Sequence, residues 1–281
     1  MSPAHTLLLI GEQAVGKTHY GAQSLKRLML HAGELRMNGM AANTEPYEDA
    51  FNQLSRGLAG THTPSTVYVE SRWPVATADG LSAELIWPDY GGEQVLEIAR
   101  KRVLDPQWVS RAKGASAWMF MVRPGRTRQE DDLFSRPLED MTQLTTVPSG
   151  AVALSDQARL VELLQLLLYI RGARLDRPLQ RPRLTVVLSC WDELIQPGTP
   201  PEELEARLPL LSAFVRANWS RDSLDIVGLS ALERPLDPKI PDLEFARRGP
   251  EAFGYVIDAD GNRTSDLLTP LAAALRAVVR T

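Results

Sequence analysis

Gly11-Glu12-Gln13-Ala14-Val15-Gly16-Lys17-Thr18 leaves this chain few choices of fold. The run fits the phosphate-loop pattern G-x-x-x-x-G-K-[ST], and its surroundings suit the chemistry. Thr6 to Ile10 is a short apolar run that reads as a buried strand, and from Lys17 to His31 apolar residues return at helical spacing. Strand, glycine loop and helix together turn backbone N–H groups toward phosphate oxygens and add the partial positive charge of a helix N-terminus. The cradle expected to hold phosphate runs from Gly11 through Ala14, Val15, Gly16, Lys17 and Thr18 to His19. Lys17 would neutralise the β- and γ-phosphates, and the Thr18 hydroxyl would sit on a magnesium ion.

Composition bounds the alternatives. At 281 residues the chain can form one large α/β domain or two small ones. A net charge of −4 gives no reason to expect nucleic acid or an anionic membrane as partner. No apolar stretch reaches the ~18 residues of a membrane span. The apolar run after Ala4 is too short for a signal peptide and lacks a basic start. Cys190 is the only cysteine, so no internal disulfide can form, which suits a cytoplasmic location. His5, His19, His31 and His62 show no metal-ligand spacing.

The remaining pattern alternates strands and helices. A polar segment containing Gly33, Gly39 and Asn43 reads as a loop, and residues 45–58 as an amphipathic helix. Val67 to Trp73 and Leu81 to Trp87 read as strands, and Asp79-Gly80 between them signals a hairpin. A helix is expected over about 94–104 and a buried strand over 115–122. Residues 123–149 are charged and turn-rich, an expected insert. Ser155 should cap a very apolar helix to about Ile170, and residues 183–189 form another buried strand. Residues 202–219 read as a helix that Pro209 splits or kinks, and 225–229 as the last core strand. Beyond it, 235–281 reads as an extension with an irregular stretch, an edge strand near 253–257 and a final helix capped by Ser265 or Asp266.

Three further elements fall at strand ends, where open α/β sheets bind ligands. Asp89 can hold magnesium through water, and Gly92, three residues on, can offer its backbone N–H to a γ-phosphate. Ser189-Cys190-Trp191-Asp192 follows a buried strand. A carboxylate there can accept from guanine N1 and N2, a donor pair that adenine lacks. Gly228-Leu229-Ser230-Ala231 ends the last core strand, and its N–H groups can reach the guanine carbonyl oxygen.

Over roughly residues 6–231 the chain resembles the translation-factor-like clade of P-loop GTPases. Gly11 to Thr18, Asp89 to Gly92, Ser189 to Asp192 and Ser230-Ala231 stand in the places of its first, third, fourth and fifth motifs. The wording GEQAVGKTHYGAQ with DYGGE looks most like the bacterial double-GTPase families of conflict, or anti-phage, systems. The resemblance implies GTP or GDP and Mg2+ as ligands, with Trp191 and Asp192 at the base and Ser230 and Ala231 beside it. It implies a switch threonine on the metal. Thr63 is the choice because it lies just before the second strand, with Thr61 and Thr66 as alternatives. The chain departs from the pattern twice. Cys190 stands where a lysine normally packs over the base and braces the phosphate loop. Glu93 stands where many relatives carry a water-orienting Gln, with Gln94 displaced by one. A carboxylate facing a γ-phosphate is repelled, so intrinsic hydrolysis is expected to be slow. Arg123, Arg126 and Arg128 follow the fourth strand. A solvated loop is the expected reading, an arginine finger in cis or across a dimer the alternative.

The expectation is one α/β domain with a doubly wound, mostly parallel P-loop sheet and an antiparallel edge strand from the hairpin. Lys17, Thr63, Glu93 and Gln94 would serve hydrolysis, and Thr18, Thr63 and Asp89 the metal. A protein partner or second GTPase would sit over residues 60–66 and 91–104. Rival readings are an ATPase or small-molecule kinase and a non-hydrolysing nucleotide-sensing scaffold.

Overall fold

The computed structural model describes residues 6–30, 33–60, 68–90, 98, 101, 103–127 and 155–279. Its central feature is a six-stranded sheet in the order β1-β5-β6-β7-β8-β9. β1 (Leu7–Gly11), β5 (Ala117–Val122), β6 (Arg183–Ser189) and β7 (Leu224–Ser230) run parallel. β8 (Tyr255–Ile257) and β9 (Arg263–Thr264) extend the sheet through antiparallel pairs, β8 with β7 and β9 with β8.

Each parallel strand is apolar on both faces because both faces are covered. Leu7 and Leu9 of β1, with Ala117, Met119 and Met121 of β5, point into one core. That core holds Leu25 and Leu28 of α1 (Lys17–Leu30) and Leu271, Ala272 and Leu275 of the C-terminal helix. Leu8 and Ile10, with Trp118, Phe120 and Val122, point into the other. The second core holds Trp108 of α3 (Pro106–Gly114) and Leu160, Leu164 and Leu168 of α4 (Asp156–Arg171). It also takes in Leu204 of α5 (Pro200–Arg207) and Leu211 and Val215 of α6 (Pro209–Asn218).

The hairpin forms as expected, with β3 (Tyr68–Thr77) antiparallel to β4 (Ser82–Tyr90). It sits in a sheet of its own. A three-residue strand, β2 (Leu35–Met37), emerges from the segment read as a loop and pairs with β3. β4 packs beside β1 while belonging to this second sheet. An aromatic cluster ties the small sheet to α1 and to α2 (Glu45–Ser55). Trp73 and Trp87 stack at 4.9 Å, Tyr47 meets Trp73 edge-on at 5.3 Å, and Tyr20 lies 5.4 Å from Trp87.

Local signals account for the helix ends. The Ser155 hydroxyl accepts from the Ala158 N–H at 3.0 Å, and Gly172, at φ 70°, closes α4. Pro209 does split its helix, separating α5 from α6. α3 lies outside the expected helices, although Asp105-Pro106 announces it. Asp105 caps Gln107 N at 2.8 Å, and proline is pre-set for the first helical turn. The irregular C-terminal stretch contains a short helix, α7 (Leu243–Arg248), and the last described helix is α8 (Thr269–Val279). Asp266, one of the two expected caps, accepts from Leu268 N at 2.9 Å.

Candidate functional site

A cavity of about 310 Å³ opens at the carboxyl edge of the parallel sheet. The loops after β1, β5, β6 and β7 supply most of its walls because four parallel strands end together, and Ala59 and Gly60 add a fifth stretch.

The first wall is the glycine loop. Gly11 ends β1, where a Cβ would meet Val15 Cγ2 at 2.8 Å and the Met121 carbonyl at 3.1 Å. Gly16 has φ +84°, a conformation that favours glycine. Ala14, at φ 60°, adopts a left-handed backbone that an alanine takes only under constraint. Ala14, Val15, Gly16, Lys17, Thr18 and His19 all line the cavity. Lys17 Nζ donates to the carbonyls of Gly11 at 2.9 Å and Glu12 at 2.8 Å, which holds the ammonium at the loop. Arg159 of α4 clamps Glu12 through two bonds, 2.7 and 3.0 Å, and so ties the loop to the helix packed on the other face.

The opposite wall follows β6 and β7. Asp192 lines the cavity from a short 3-10 turn, Trp191–Glu193. Ser230 Oγ donates to Asp192 Oδ1 at 2.5 Å and accepts from Glu233 N at 2.9 Å. Ser230 is buried, so this carboxylate is held in one orientation from below. Ala231 lines the cavity beside it. Trp191 does not take the place at the base expected of it: it is 4% exposed and packs against Gly228, where a Cβ would come within 2.6 Å of its ring. The cause is the left-handed turn at Cys190, φ 52°, which sends the indole into the core and leaves Cys190 and Asp192 facing the cavity. Burial pushes the Cys190 thiol up to about 11, so it stays uncharged.

Arg123 is neither a solvated residue nor a finger free to reach out. Its side chain is 19% exposed and forms a two-pronged pair with Glu193. Its Nη1 also donates to the Ala14 carbonyl at 2.9 Å. The hydrogen bond to Glu193 raises the guanidinium pKa further. A cation directly after a buried strand and a carboxylate directly after Asp192 were the signals for this pair. Only the β5–β6 register, Val122 against Leu188, sets the two strand ends side by side.

A third side is built by segments whose sequence carried no motif. His19 Nε2 accepts from Gly60 N at 3.0 Å, and burial lowers the imidazole pKa to about 4. Ala59 N donates to Asp237 O at 3.1 Å, and Asp242 N to Gly57 O at 2.9 Å. Leu232, Arg234 and Leu236 close the cavity there, with Arg234 held by Asp242 and Glu244.

Asp89 stands near the end of β4, in register with Val69. Gly92, Glu93, Gln94 and Thr63, with Thr61, Thr66 and Arg128, lie outside the described residues.

The double-GTPase 1 family model matches residues 8–274 of this chain. The chain belongs to that family. Its description implies binding and hydrolysis of GTP, and the match spans every wall of the cavity. No curated protein matches the chain. Among the described residues of this double-GTPase, no helix is long and apolar enough to cross a membrane.

Proposed function

We propose that this double-GTPase family member is a magnesium-dependent GTP-binding protein that hydrolyses GTP slowly and acts as a molecular switch on a protein partner. The observation that carries the reading is the pairing of a glycine-loop cradle with a carboxylate fixed across the same cavity. In this reading Asp192, held by Ser230 at the cavity wall, would accept from the two N–H donors of guanine, while the glycine loop and Lys17 would serve the phosphates. Adenine lacks that donor pair and would leave the carboxylate with the Ser230 bond but no partner on the base, which is the larger part of the discrimination.

In this reading Thr18 and Asp89 hold magnesium, and a threonine of the 61–66 segment joins them. The ion would neutralise charge developing on the phosphate oxygens. Residues 60–66 and 91–104 act as the switches and form the partner surface, where a second GTPase is the favoured occupant. A place in a bacterial defence system follows from the family resemblance. Nucleic acid and membrane are not partners in this reading. Titration with GTP, GDP and ATP, each with and without magnesium, tests it. Equal affinity for GTP and ATP would overturn it in favour of an ATPase or kinase.

A second reading, a nucleotide sensor that does not hydrolyse, is favoured by Glu93 and Cys190 at two motif positions. Tight GTP binding without single-turnover hydrolysis would decide for it.

A further inference from the structure

We propose that Arg123 is a positioning residue that locks the phosphate loop to the turn carrying Asp192, so that one guanidinium sets both ends of the nucleotide cavity. The proposal rests on the guanine-nucleotide reading above. Three bonds converge on this side chain. Nη1 donates to the Ala14 carbonyl at 2.9 Å, Nε donates to Glu193 Oε2 at 2.9 Å, and Nη2 pairs with Glu193 Oε1. The first bond fixes the loop. Across a trans peptide, the carbonyl of one residue and the N–H of the next point to opposite sides. Turning the Ala14 carbonyl toward Arg123 therefore turns the Val15 N–H away from Arg123 and fixes the plane of that peptide in the loop. Ala14 holds a left-handed backbone, φ 60°, which alanine leaves readily unless something retains it. The Arg123 bond to its carbonyl helps to retain it.

The other two bonds fix the turn. Glu193 follows Asp192 directly in the 3-10 turn, so the carboxylate that anchors Arg123 also anchors the peptide bearing the base-reading side chain. Neither function is available to Cys190, which lines the cavity at the position where the resemblance calls for a lysine and carries no charge. The cation comes instead from the end of β5, one strand away. Its planar fork suits this double grip, because a lysine ammonium cannot hold both carboxylate oxygens and a carbonyl in one plane.

The test is competition against a fluorescent GDP analogue on the full chain, with GDP and guanosine as competitors. The proteins are wild type, R123A, R123K, E193Q and the double variant R123A/E193Q. R123A should weaken GDP about ten- to hundredfold, the usual worth of a charge-assisted hydrogen-bond pair. Guanosine, which does not use the loop, should lose less. R123K should fail to restore GDP affinity. R123A/E193Q should bind no more weakly than R123A, because both changes break one link. E193Q keeps the side-chain shape, so its loss of GDP affinity at an unchanged melting temperature separates positioning from folding. R123A binding GDP as wild type does, or losses that simply add in the double variant, would overturn the proposal and leave the guanine reading standing. A wild-type chain that binds no GDP would overturn both.

Discussion

Gly228 is the position where a single methyl group should reach the candidate site from the core. It lies in β7, opposite Leu188 of β6 and Ile257 of β8. A Cβ there would stand 2.6 Å from Trp191 Cδ2 and Cε3. Ordinary carbon contacts are about 3.5–4.0 Å, so the indole must retreat by about 1 Å. Trp191 is 4% exposed and has no solvent side to retreat into. Overpacking of this kind costs about 1–3 kcal/mol, while replacing a strand glycine with alanine returns about 0.5–1 kcal/mol of chain entropy. The clash wins over all but the low end of that range, and G228A should be destabilised by up to about 2.5 kcal/mol, a fall of up to roughly 10 °C in melting temperature. Asp192 is the next residue after Trp191. A displacement of about 1 Å would stretch its 2.5 Å bond from Ser230 to the edge of hydrogen-bonding range. GTP affinity should therefore fall at least about tenfold, and ATP affinity less, because fixed charged hydrogen bonds are worth about 2–4 kcal/mol. Thermal melting and parallel GTP and ATP titrations read both effects, and W191L in the G228A background should recover part of each. A melting temperature at or above wild type, with unchanged GTP affinity, would show that Trp191 has room to spare and does not set Asp192.

Other outcomes follow from the same geometry. D192N should lose guanine preference by about 2–4 kcal/mol and gain affinity for xanthine nucleotides, measured by calorimetry with GTP, XTP and ATP. K17A should lose most triphosphate affinity with its fold intact, since the ammonium donates to carbonyls of the loop itself; an unfolded circular dichroism spectrum would make the residue structural instead. His19, with its pKa lowered to about 4 by burial, is neutral when folded, and the unfolded chain binds its proton first. Stability should thus be full above about pH 7 and fall as pH drops from about 6.5 toward 4, by at most about 3 kcal/mol, and H19Q should remove that slope in urea melts at about pH 7 and 4.5. Single-turnover GTP hydrolysis should run below about one per second in dilute protein and rise with concentration or partner. Fast turnover independent of concentration would point to Glu93 or Gln94 as competent alone.

Much of this is legible in the residues. The glycine loop, its flanking strand and helix, and the hairpin at Asp79-Gly80 are local features, set by backbone freedom and periodicity within a few residues. The same holds for the Ser155 cap and the break at Pro209. Asp192 and Ser230 are legible as strand-end residues, because apolar runs mark where buried strands stop. Trp191 departs from its expected place for a physical reason. Side-chain direction after β6 depends on the left-handed turn at Cys190 and on the absence of a Cβ at Gly228, a residue 37 positions away that pairing brings beneath it.

Short-range signals along the chain suffice for a parallel P-loop sheet with ligand-binding residues at its carboxyl edge, since each strand reports its own end. Register and crossing are set only in three dimensions. Parallel pairing of β1, β5 and β6 put Ala14, Arg123 and Glu193, residues from three separate loops, within reach of one guanidinium. The path of the chain after β7 brought Asp237 and Asp242 to the residues just ahead of the 61–66 segment. Separation of the hairpin into its own sheet has the same origin, in β2 pairing with β3 and in four aromatic rings that pack only when α1, α2 and both strands are already in place. Such contacts join residues distant in sequence, and no local pattern encodes them, because their energy exists only once the layers have closed.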